Sequence, residues 1–205
     1  MSEQKETLLF GKWNSDEVKI DDLGLAKYIA FEDKIIPHSF GKNTRKRFAK
    51  GKLNIVERLI NKLMRSGQGK RKLSGKYIRG KRSCGKKLQA MRIVEDAFLI
   101  IENETKQNPL QVLVKAIQNS APREDITRVK KGGIAYTLSV DVAPLKRIDE
   151  SLKNIALAAF SSSFNKKVDA AQTLAKELIL ASKNDSNSFS VKRKDEVERI
   201  AVSSR

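Results

Sequence analysis

Most of the chemistry that this sequence can offer lies in the basic side chains between Gly41 and Arg92. This stretch holds nineteen lysines and arginines against a single acid, Glu57. The whole chain carries 42 basic and 24 acidic residues, a formal net charge of +18, so the remainder is neutral. Like charges at this density repel one another and are stabilised by a polyanion. Phosphate backbone is the polyanion that they predict, because each Lys or Arg that meets a phosphate releases a condensed counterion.

Residue types that carry catalysis or bind metals are few and scattered. His38 has no cysteine or acidic cluster at metal-ligand spacing, so we interpret it as structural. Cys84 has no second histidine, beyond His38, with which to form a catalytic dyad, and we interpret it as an incidental thiol. The adjacent acids at 21–22 and 124–125 do not naturally converge on one substrate. We therefore predict no catalytic residues, no metal, no cofactor and no small-molecule substrate.

The segment Gly80 to Lys87, Gly-Lys-Arg-Ser-Cys-Gly-Lys-Lys, has the glycine and lysine spacing of a phosphate-binding P-loop. That loop needs Ser or Thr after its lysine to bind Mg²⁺, and Lys87 stands there instead. It also needs a buried strand before it, whereas the preceding residues are polar and basic. A phosphate-ester enzyme is therefore only a weak rival. The glycines are better explained as positions where the backbone can approach RNA closely.

Composition favours one small domain with extensions. The chain is 40% hydrophobic, which is enough for a modest core. No run approaches the roughly 18 apolar residues that cross a bilayer, the N-terminus lacks a signal-peptide pattern, and one cysteine agrees with a reducing compartment. We expect a cytoplasmic protein with no membrane partner. We divide it into an N-terminal extension (1–40), a basic arm (41–52) and a helical domain (53–205) that includes a basic loop (67–87) and a hairpin (125–142).

Apolar residues at helical spacing predict about six helices. Arg58 and Lys62 fall opposite the apolar stripe of the first, so we expect them on its outer face. Asn108 and Pro109 mark the start of the third. Phe160 is expected to face the core from the helix after the hairpin. The predicted helices cover residues 53–64, 88–103, 109–119, 145–161, 167–182 and 191–202.

The last predicted helix begins with an electrostatic mismatch. Lys192 to Lys194 fall in its predicted first turn, where basic residues oppose the helix macrodipole. A facing phosphate backbone would relieve this mismatch. Val197, Ile200 and Ala201 are expected to dock this helix on the core.

The N-terminal extension is acidic, with eight acids against five bases, and its apolar residues follow no long period. It is expected to lie across the core or a partner. Residues 23–31 fit a short helix or a strand, and the pattern does not decide between them.

The clearest β signal is a hairpin. Residues 134–142 alternate strictly between larger apolar and smaller or polar side chains, and Gly132-Gly133 is a strong two-residue turn. A lone hairpin is only marginally stable in water, so it must dock on a helix or a partner. Because Arg128, Lys130 and Lys131 crowd its tip, we expect it to project and contact RNA. The alternative is a hairpin folded flat onto the helices.

Several local sequences are distinctive. The most specific runs from Asn108 to Asp125, Asn-Pro-Leu-Gln-Val-Leu-Val-Lys-Ala-Ile-Gln-Asn-Ser-Ala-Pro-Arg-Glu-Asp. The others are Phe48 to Lys50, Ile55 to Met64, Thr127 to Gly133, Ser139 to Arg147 and Lys192 to Ala201. Together they resemble small-subunit ribosomal protein seven, in its archaeal and eukaryotic branch. The resemblance covers about residues 28–205.

The resemblance implies a mainly α protein: a helical bundle with a protruding two-stranded β-hairpin and a basic arm. It implies primary binding of small-subunit ribosomal RNA and nucleation of the head, the 3′ major domain. It also implies a place at the subunit interface near the exit tRNA and the messenger RNA, beside ribosomal proteins nine and eleven. The stretch 69–83 is longer than the family pattern, so no family contacts are carried onto it, and residues 1–27 match poorly.

The residues expected to contact RNA are the basic side chains of the arm, the loop, the hairpin and nearby helix ends. Tyr77 and Tyr136 are candidates for stacking on unpaired bases. In the arm, the loop and the following helix the basic residues are Lys42, Arg45, Lys46, Arg47, Lys50, Lys52, Lys70, Arg71, Lys72, Lys76, Arg79, Lys81, Arg82, Lys86, Lys87 and Arg92. Further along the chain they are Arg123, Arg128, Lys130, Lys131, Lys146, Arg147, Lys192, Arg193 and Lys194.

The alternative function is a helix-turn-helix DNA-binding or chromatin protein. The short connection between the helices at 88–103 and 109–119 is typical of that motif. The exposed face of the second helix offers few basic side chains, which argues against DNA binding. The side chains on that face are mainly Gln111, Lys115, Gln118 and Asn119.

Overall fold

The protein is mainly α-helical, with a projecting β-hairpin, as predicted. The computed structural model describes residues 8–31, 34–41, 46–65, 72–73, 76–77 and 85–205. Within these residues, no helix has both the length and the apolar character to cross a membrane. The elements are α1 (Leu23–Ala26), a 3-10 turn (Ala49–Lys52), α2 (Ile55–Arg65), β1 (Lys72–Leu73), β2 (Lys76–Tyr77), α3 (Lys87–Thr105), α4 (Pro109–Ser120), β3 (Glu124–Lys131), β4 (Ile134–Asp141), α5 (Pro144–Ser163), α6 (Ala170–Ser182) and α7 (Phe189–Val202).

Helix starts follow local capping. The Asn108 side chain accepts a hydrogen bond from the N–H of Leu110, and Pro109 is the first residue of α4, which confirms the predicted start. The predicted start of α6 at Lys167 is wrong. Asp169 has an extended backbone and its side chain accepts from the N–H of Ala170, so α6 begins three residues later.

The core is built from the apolar faces of α2 to α6. Phe98 of α3 is fully buried and meets Trp13 edge-on, with ring centroids 5.5 Å apart. Three expected core residues lie outside the buried core. Phe160 is only half-buried, because it lies near the end of α5 beside Phe164. Val197 is half-buried and Ile200 is 46% exposed on α7, so this helix docks through the expected Ala201 together with Val191.

The described part of the N-terminal extension lies across the core. Leu9, Trp13, Leu25 and Ile29 are buried, so much of this segment belongs to the hydrophobic cluster. Of the two structures that the sequence left open for residues 23–31, the short helix forms. The helix α1 is followed by a single parallel bridge between Ala30 and Asn54.

The hairpin projects from the helices. Its strands pair from Glu124 with Asp141 to Lys131 with Ile134, so Gly132 and Gly133 form the predicted turn, with φ of +60° and +82°. At the root, Val142 is buried, and the backbone N–H of Arg123 donates to Glu198 of α7 at 2.8 Å. The side chains described between residues 127 and 138 are exposed. The alternative of a hairpin folded flat onto the helices is wrong.

The start of α7 differs from the prediction. Ser188 caps the helix and Phe189 is its first residue, so Lys192 to Lys194 run from the end of the first turn into the second. The carboxylate of Glu177, from α6, accepts from the N–H of Ser190 at 2.9 Å and from the hydroxyls of Ser188 and Ser190. A buried carboxylate at a helix N-terminus complements the macrodipole. The expected mismatch is therefore offset inside the protein, and no phosphate is needed to explain it.

Replacing Glu177 with Ala is expected to destabilise the protein by about 2–3 kcal/mol, because hydrogen bonds to a buried charged acceptor are lost. The measurement is the urea midpoint of unfolding, compared between variants whose unfolding free energy depends equally steeply on urea concentration. Lys176→Ala, at the exposed neighbouring position on α6, is the control and should change stability by less than about 0.5 kcal/mol. Equal midpoints for the two variants would show that the cap contributes nothing.

Candidate nucleic-acid interface

The basic arm ends in a turn that is fixed to α5. Gly51 is buried, and a β-carbon added there would lie 3.1 Å from Cδ1 of Tyr28 and 3.7 Å from Cδ1 of Leu145. Lys50 donates to Asp149 of α5 at 2.5 Å. Lys46 and Lys52 are exposed on either side. The described part of the arm therefore presents cations from a turn that is packed against the helical bundle.

Asp149 gathers three cations from two segments. Its carboxylate lies 2.5 Å from Nζ of Lys50, 3.3 Å from Nη2 of Arg58 and 3.7 Å from Nζ of Lys62. Burial raises the pKa of Asp149, but the hydrogen bond from Lys50 and the charges of Lys62, Lys50 and Arg58 outweigh it. The pKa therefore lies below its ordinary value of 3.8. One carboxylate among three cations leaves a local excess of positive charge.

The expectation that Arg58 lies on the outer face of its helix is wrong. Its side chain is 1% exposed. Nη1 donates to the backbone carbonyl of Tyr28 at 2.9 Å, and Nη2 donates to Asp149. Burial lowers the pKa of Arg58 and Asp149 opposes this shift, and a guanidinium stays charged in proteins. Arg58 is thus a structural cation that ties α2 to the N-terminal segment and to α5.

Lys62, one turn further along α2, is half-buried rather than fully outward. Burial lowers its pKa, and Asp149 counteracts the shift. The sequence carried one signal for this cluster, namely the basic residues Arg58 and Lys62 four positions apart on one helix face. It gave no sign of the acid, because Asp149 lies about ninety residues downstream.

A second buried pair holds the start of α3. Lys87 donates to Oε1 of Glu57 at 2.6 Å, and the hydroxyl of Ser39 donates to the same oxygen at 2.9 Å. Burial raises the pKa of Glu57, but the hydrogen bonds from Lys87 and Ser39 bring it below its ordinary value of 4.5. Lys87, one of the predicted RNA contacts, is therefore engaged within the fold.

The first two turns of α5 join the arm, the hairpin and the N-terminal segment. Lys146 pairs with Asp125 at the hairpin root at 3.0 Å. Arg147 pairs with Asp22 of the cap of α1, also at 3.0 Å. Asp149 holds the arm through Lys50. The arm and the hairpin, whose paired residues Lys50 and Asp125 are 75 positions apart in sequence, are thus brought together on one helix.

The hairpin has two chemically different faces. Strand alternation and the observed register place Arg128 and Lys130 on one face, with Thr137 paired to Arg128 across the strands. The other face carries Val129 opposite Tyr136, and Tyr136 is 49% exposed. Arg128 and Lys130 therefore lie on the side of the hairpin opposite to the candidate stacking ring.

Some of the basic side chains of α7 form salt bridges with neighbouring acidic residues. Arg193 pairs with Glu196 at 2.7 Å, and Lys194 lies 3.5 Å from Asp195. Lys192 is exposed. Surface pairs such as these are weak, so phosphate can replace them.

The predicted RNA contacts therefore fall into three groups. Those outside the described residues, or whose side chains are not described, are Lys42, Arg45, Lys70, Arg71, Lys72, Lys76, Arg79, Lys81, Arg82 and Lys131. Those that pair with acids are Lys50, Lys87, Lys146, Arg147, Arg193 and Lys194. Those that are exposed and form no salt bridge with the described part of the chain are Lys46, Arg47, Lys52, Lys86, Arg92, Arg123, Arg128, Lys130 and Lys192.

Three of the four side chains expected on the exposed face of α4 are hydrogen-bonded within the protein, and the fourth, Lys115, is exposed. Gln111 exchanges two hydrogen bonds with the backbone of Lys19, at 2.7 and 3.0 Å. The Nδ2 of Asn119 donates to the carbonyls of Ala181 and Ser182. With its amide oriented to satisfy both groups, Gln118 accepts from the N–H of Asp21 and of Asp22. This face holds the N-terminal segment and α6, so it is poorly placed to read DNA bases.

Among the described residues, no group of three or more His, Cys, Asp or Glu is placed to hold a metal ion. Two exposed rings without a predicted role, Phe40 and Phe48, flank the start of the arm. The only available signal was an aromatic residue among bases at Arg47-Phe48.

Comparison with known proteins agrees with the local resemblances. The protein of Methanosphaera stadtmanae named small ribosomal subunit protein uS7 is 49% identical over 195 residues, which cover 95% of this chain and 97% of the relative. The protein of the same name from Methanothermobacter thermautotrophicus is 45% identical over 197 residues, covering 96% and 98%. That of Picrophilus torridus is 46% identical over 200 residues, covering 98% and 100%. Residues 25–205 match the family described as ribosomal protein S7p/S5e, and the chain belongs to this family.

Proposed function

We propose that this chain is a structural, RNA-binding component of the small ribosomal subunit in the cytoplasm. Its archaeal relatives carry the name of a small-subunit protein, and its net charge of +18 fits a partner with a phosphate backbone. The observation that carries the proposal is the junction on α5, where Asp149 pairs with Lys50 of the arm and Lys146 pairs with Asp125 of the hairpin. No enzymatic role is proposed, since the relatives are named as ribosomal subunit proteins.

The finer proposal concerns place and timing. The protein binds the 3′ major domain early, nucleates the head of the subunit and lies at the subunit interface near the exit tRNA and the messenger RNA. Ribosomal proteins nine and eleven are its neighbours. The family resemblance supports this proposal. A rigid bundle with a projecting basic hairpin suits such a role, because it can hold converging RNA helices whose backbones repel one another.

The test begins with competition between structured small-subunit RNA and duplex DNA for the purified protein. RNA should compete much better than DNA of equal charge. Clear duplex preference would favour the helix-turn-helix alternative. Chemical footprinting of the RNA then locates the site, and protections confined to the 3′ major domain are expected. Protections spread evenly over the RNA would contradict the finer proposal.

The hairpin cations give a sharper test. The double variant Arg128→Ala/Lys130→Ala should make the negative slope of log K against log salt shallower, by about 1 for each lost phosphate contact. Its footprint should lose protections at one place only. The control is Lys166→Ala/Lys167→Ala, which removes the same charge from exposed positions between α5 and α6. If both variants behave alike, the hairpin acts only through net charge.

A further inference from the structure

We infer that Phe40 and Phe48 are stacking sites for unpaired RNA bases. This inference rests on the proposed RNA-binding function and adds the kind of nucleotide that the arm recognises. The two rings are 79% and 67% exposed, although phenylalanine is usually buried. An exposed ring loses the free energy of burial, and a base stacked on it would restore part of that free energy.

Both rings are attached to fixed points of the fold. Phe40 follows Ser39, which is buried and donates to the carboxylate of Glu57. Phe48 directly precedes the 3-10 turn, where Gly51 is packed against α5. Neither ring therefore lies on a free tail. A fixed platform loses less conformational freedom when a base stacks on it.

The backbone holds both rings in a strained conformation. Phe40 has φ of +50° and Phe48 has φ of +60°, a region that residues with a bulky side chain rarely adopt. Such strain persists only where the surrounding structure imposes it, and it is concentrated at functional sites. Both strained positions carry an exposed aromatic ring.

Each ring already has a planar group beside it. The centroids of the His38 and Phe40 rings lie 4.2 Å apart at an angle of 34°, and the N–H of Phe40 donates to Nδ1 of His38 at 2.8 Å. The guanidinium carbon of Arg47 lies 5.0 Å from the centroid of Phe48. Such neighbours fix the ring and leave its exposed side for a base. Arginine also strengthens stacking through its own planar cation.

The surrounding charges indicate which partner fits. Lys46, Arg47 and Lys52 are exposed around Phe48. An apolar protein surface would have to desolvate these cations, which costs free energy. An unpaired nucleotide instead supplies a π-face for the ring and a phosphate for a cation. A paired base is already stacked within its helix, so bases in loops, bulges or ends are the expected partners.

The experiment compares Phe48→Ala, Phe48→Leu and Phe48→Tyr by titration of the full chain onto deproteinised small-subunit RNA. Ala and Leu should each weaken binding by about 5- to 140-fold, the range for one lost base stack, whereas Tyr should bind almost as the native protein does. The salt slope should be the same for all three, because stacking releases no counterions. Lys52→Ala should instead make the slope of log K against log salt shallower by about 1. The same comparison applies at Phe40.

Base-specific chemical probing identifies the stacked nucleotide. A base protected by the native protein should become reactive with Phe48→Ala and stay protected with Phe48→Tyr. Equal urea midpoints establish that the variants are folded. If Phe48→Ala and Phe48→Leu bind as tightly as the native protein while Lys52→Ala lowers the slope, the stacking inference is wrong and the proposed function stands. If the native protein does not prefer the RNA over duplex DNA, the proposed function itself fails.

Discussion

RNA binding is expected to weaken by a factor of about 10³ to 10⁵ when monovalent salt rises from about 50 to about 200 mM, the range for 6 to 10 phosphate contacts. Nine of the predicted contacts are exposed and form no salt bridge with the described part of the chain. Each phosphate contact releases a condensed counterion, and added salt opposes that release. With roughly ten phosphates neutralised, log K should fall against log salt with a slope of about −7 to −9.

The measurement is an equilibrium titration of fluorescent small-subunit RNA at four or more salt concentrations. A neutral osmolyte at matched osmolality serves as the control and should leave the affinity almost unchanged. Stability of the free protein should change little over the same range, because buried pairs such as Arg58 with Asp149 are screened far less than exposed charges. An affinity that does not depend on salt would rule out the electrostatic mechanism.

The second large effect is expected for Asp149→Asn, which should destabilise the free protein by about 3 kcal/mol. Removing one partner of a buried ion pair costs about 3–5 kcal/mol, and partial exposure of Asp149 favours the lower end. The variant leaves Arg58 buried with no acid and leaves Lys50 and Lys62 to repel each other. Given the total stability of about 5–15 kcal/mol that is usual for a domain, the loss should be plain in urea unfolding.

The matched control is Glu150→Gln, at the next position. Glu150 pairs with exposed Lys153, and such a surface pair contributes about 0–1 kcal/mol. The pH dependence gives a second readout. The folded pKa of Asp149 lies below 3.8, so its stabilisation is fully present above that pH and is lost as the pH falls through the folded value. Asp149→Asn should lose part of this acid sensitivity. A variant as stable as Glu150→Gln would show that the cluster does not support the fold.

Local patterns predicted much of the architecture, because the signals for α3, α4 and the hairpin lie within the segments themselves. The cap at Asn108 and the Gly132-Gly133 turn are each set by a few neighbouring residues, and both were confirmed. The start of α6 was also set by a neighbouring residue. Its cap, Asp169, is not revealed by the apolar period alone, so the predicted start was wrong.

What the sequence could not predict depends on residues that are distant along the chain. Arg58 has the spacing of an outward residue, yet it is buried because Tyr28 and Asp149 receive its hydrogen bonds. The basic residues of α7 suggested that a phosphate faces the start of this helix, yet Glu177 supplies the negative charge there. In both cases a partner from another element reverses the local reading. The candidate contacts themselves were identified by charge, and their engagement with RNA stays a prediction.

The junction on α5 also has a consequence for residence time. Because the arm and the hairpin are attached to the same helix, binding of one basic element keeps the other close to its own site. The second contact is then intramolecular, at an effective concentration of about millimolar or higher. A contact that breaks can form again before the protein diffuses away. The protein should therefore leave the RNA only when several contacts break together, and losing one element should shorten the lifetime of the complex far more than it slows its formation.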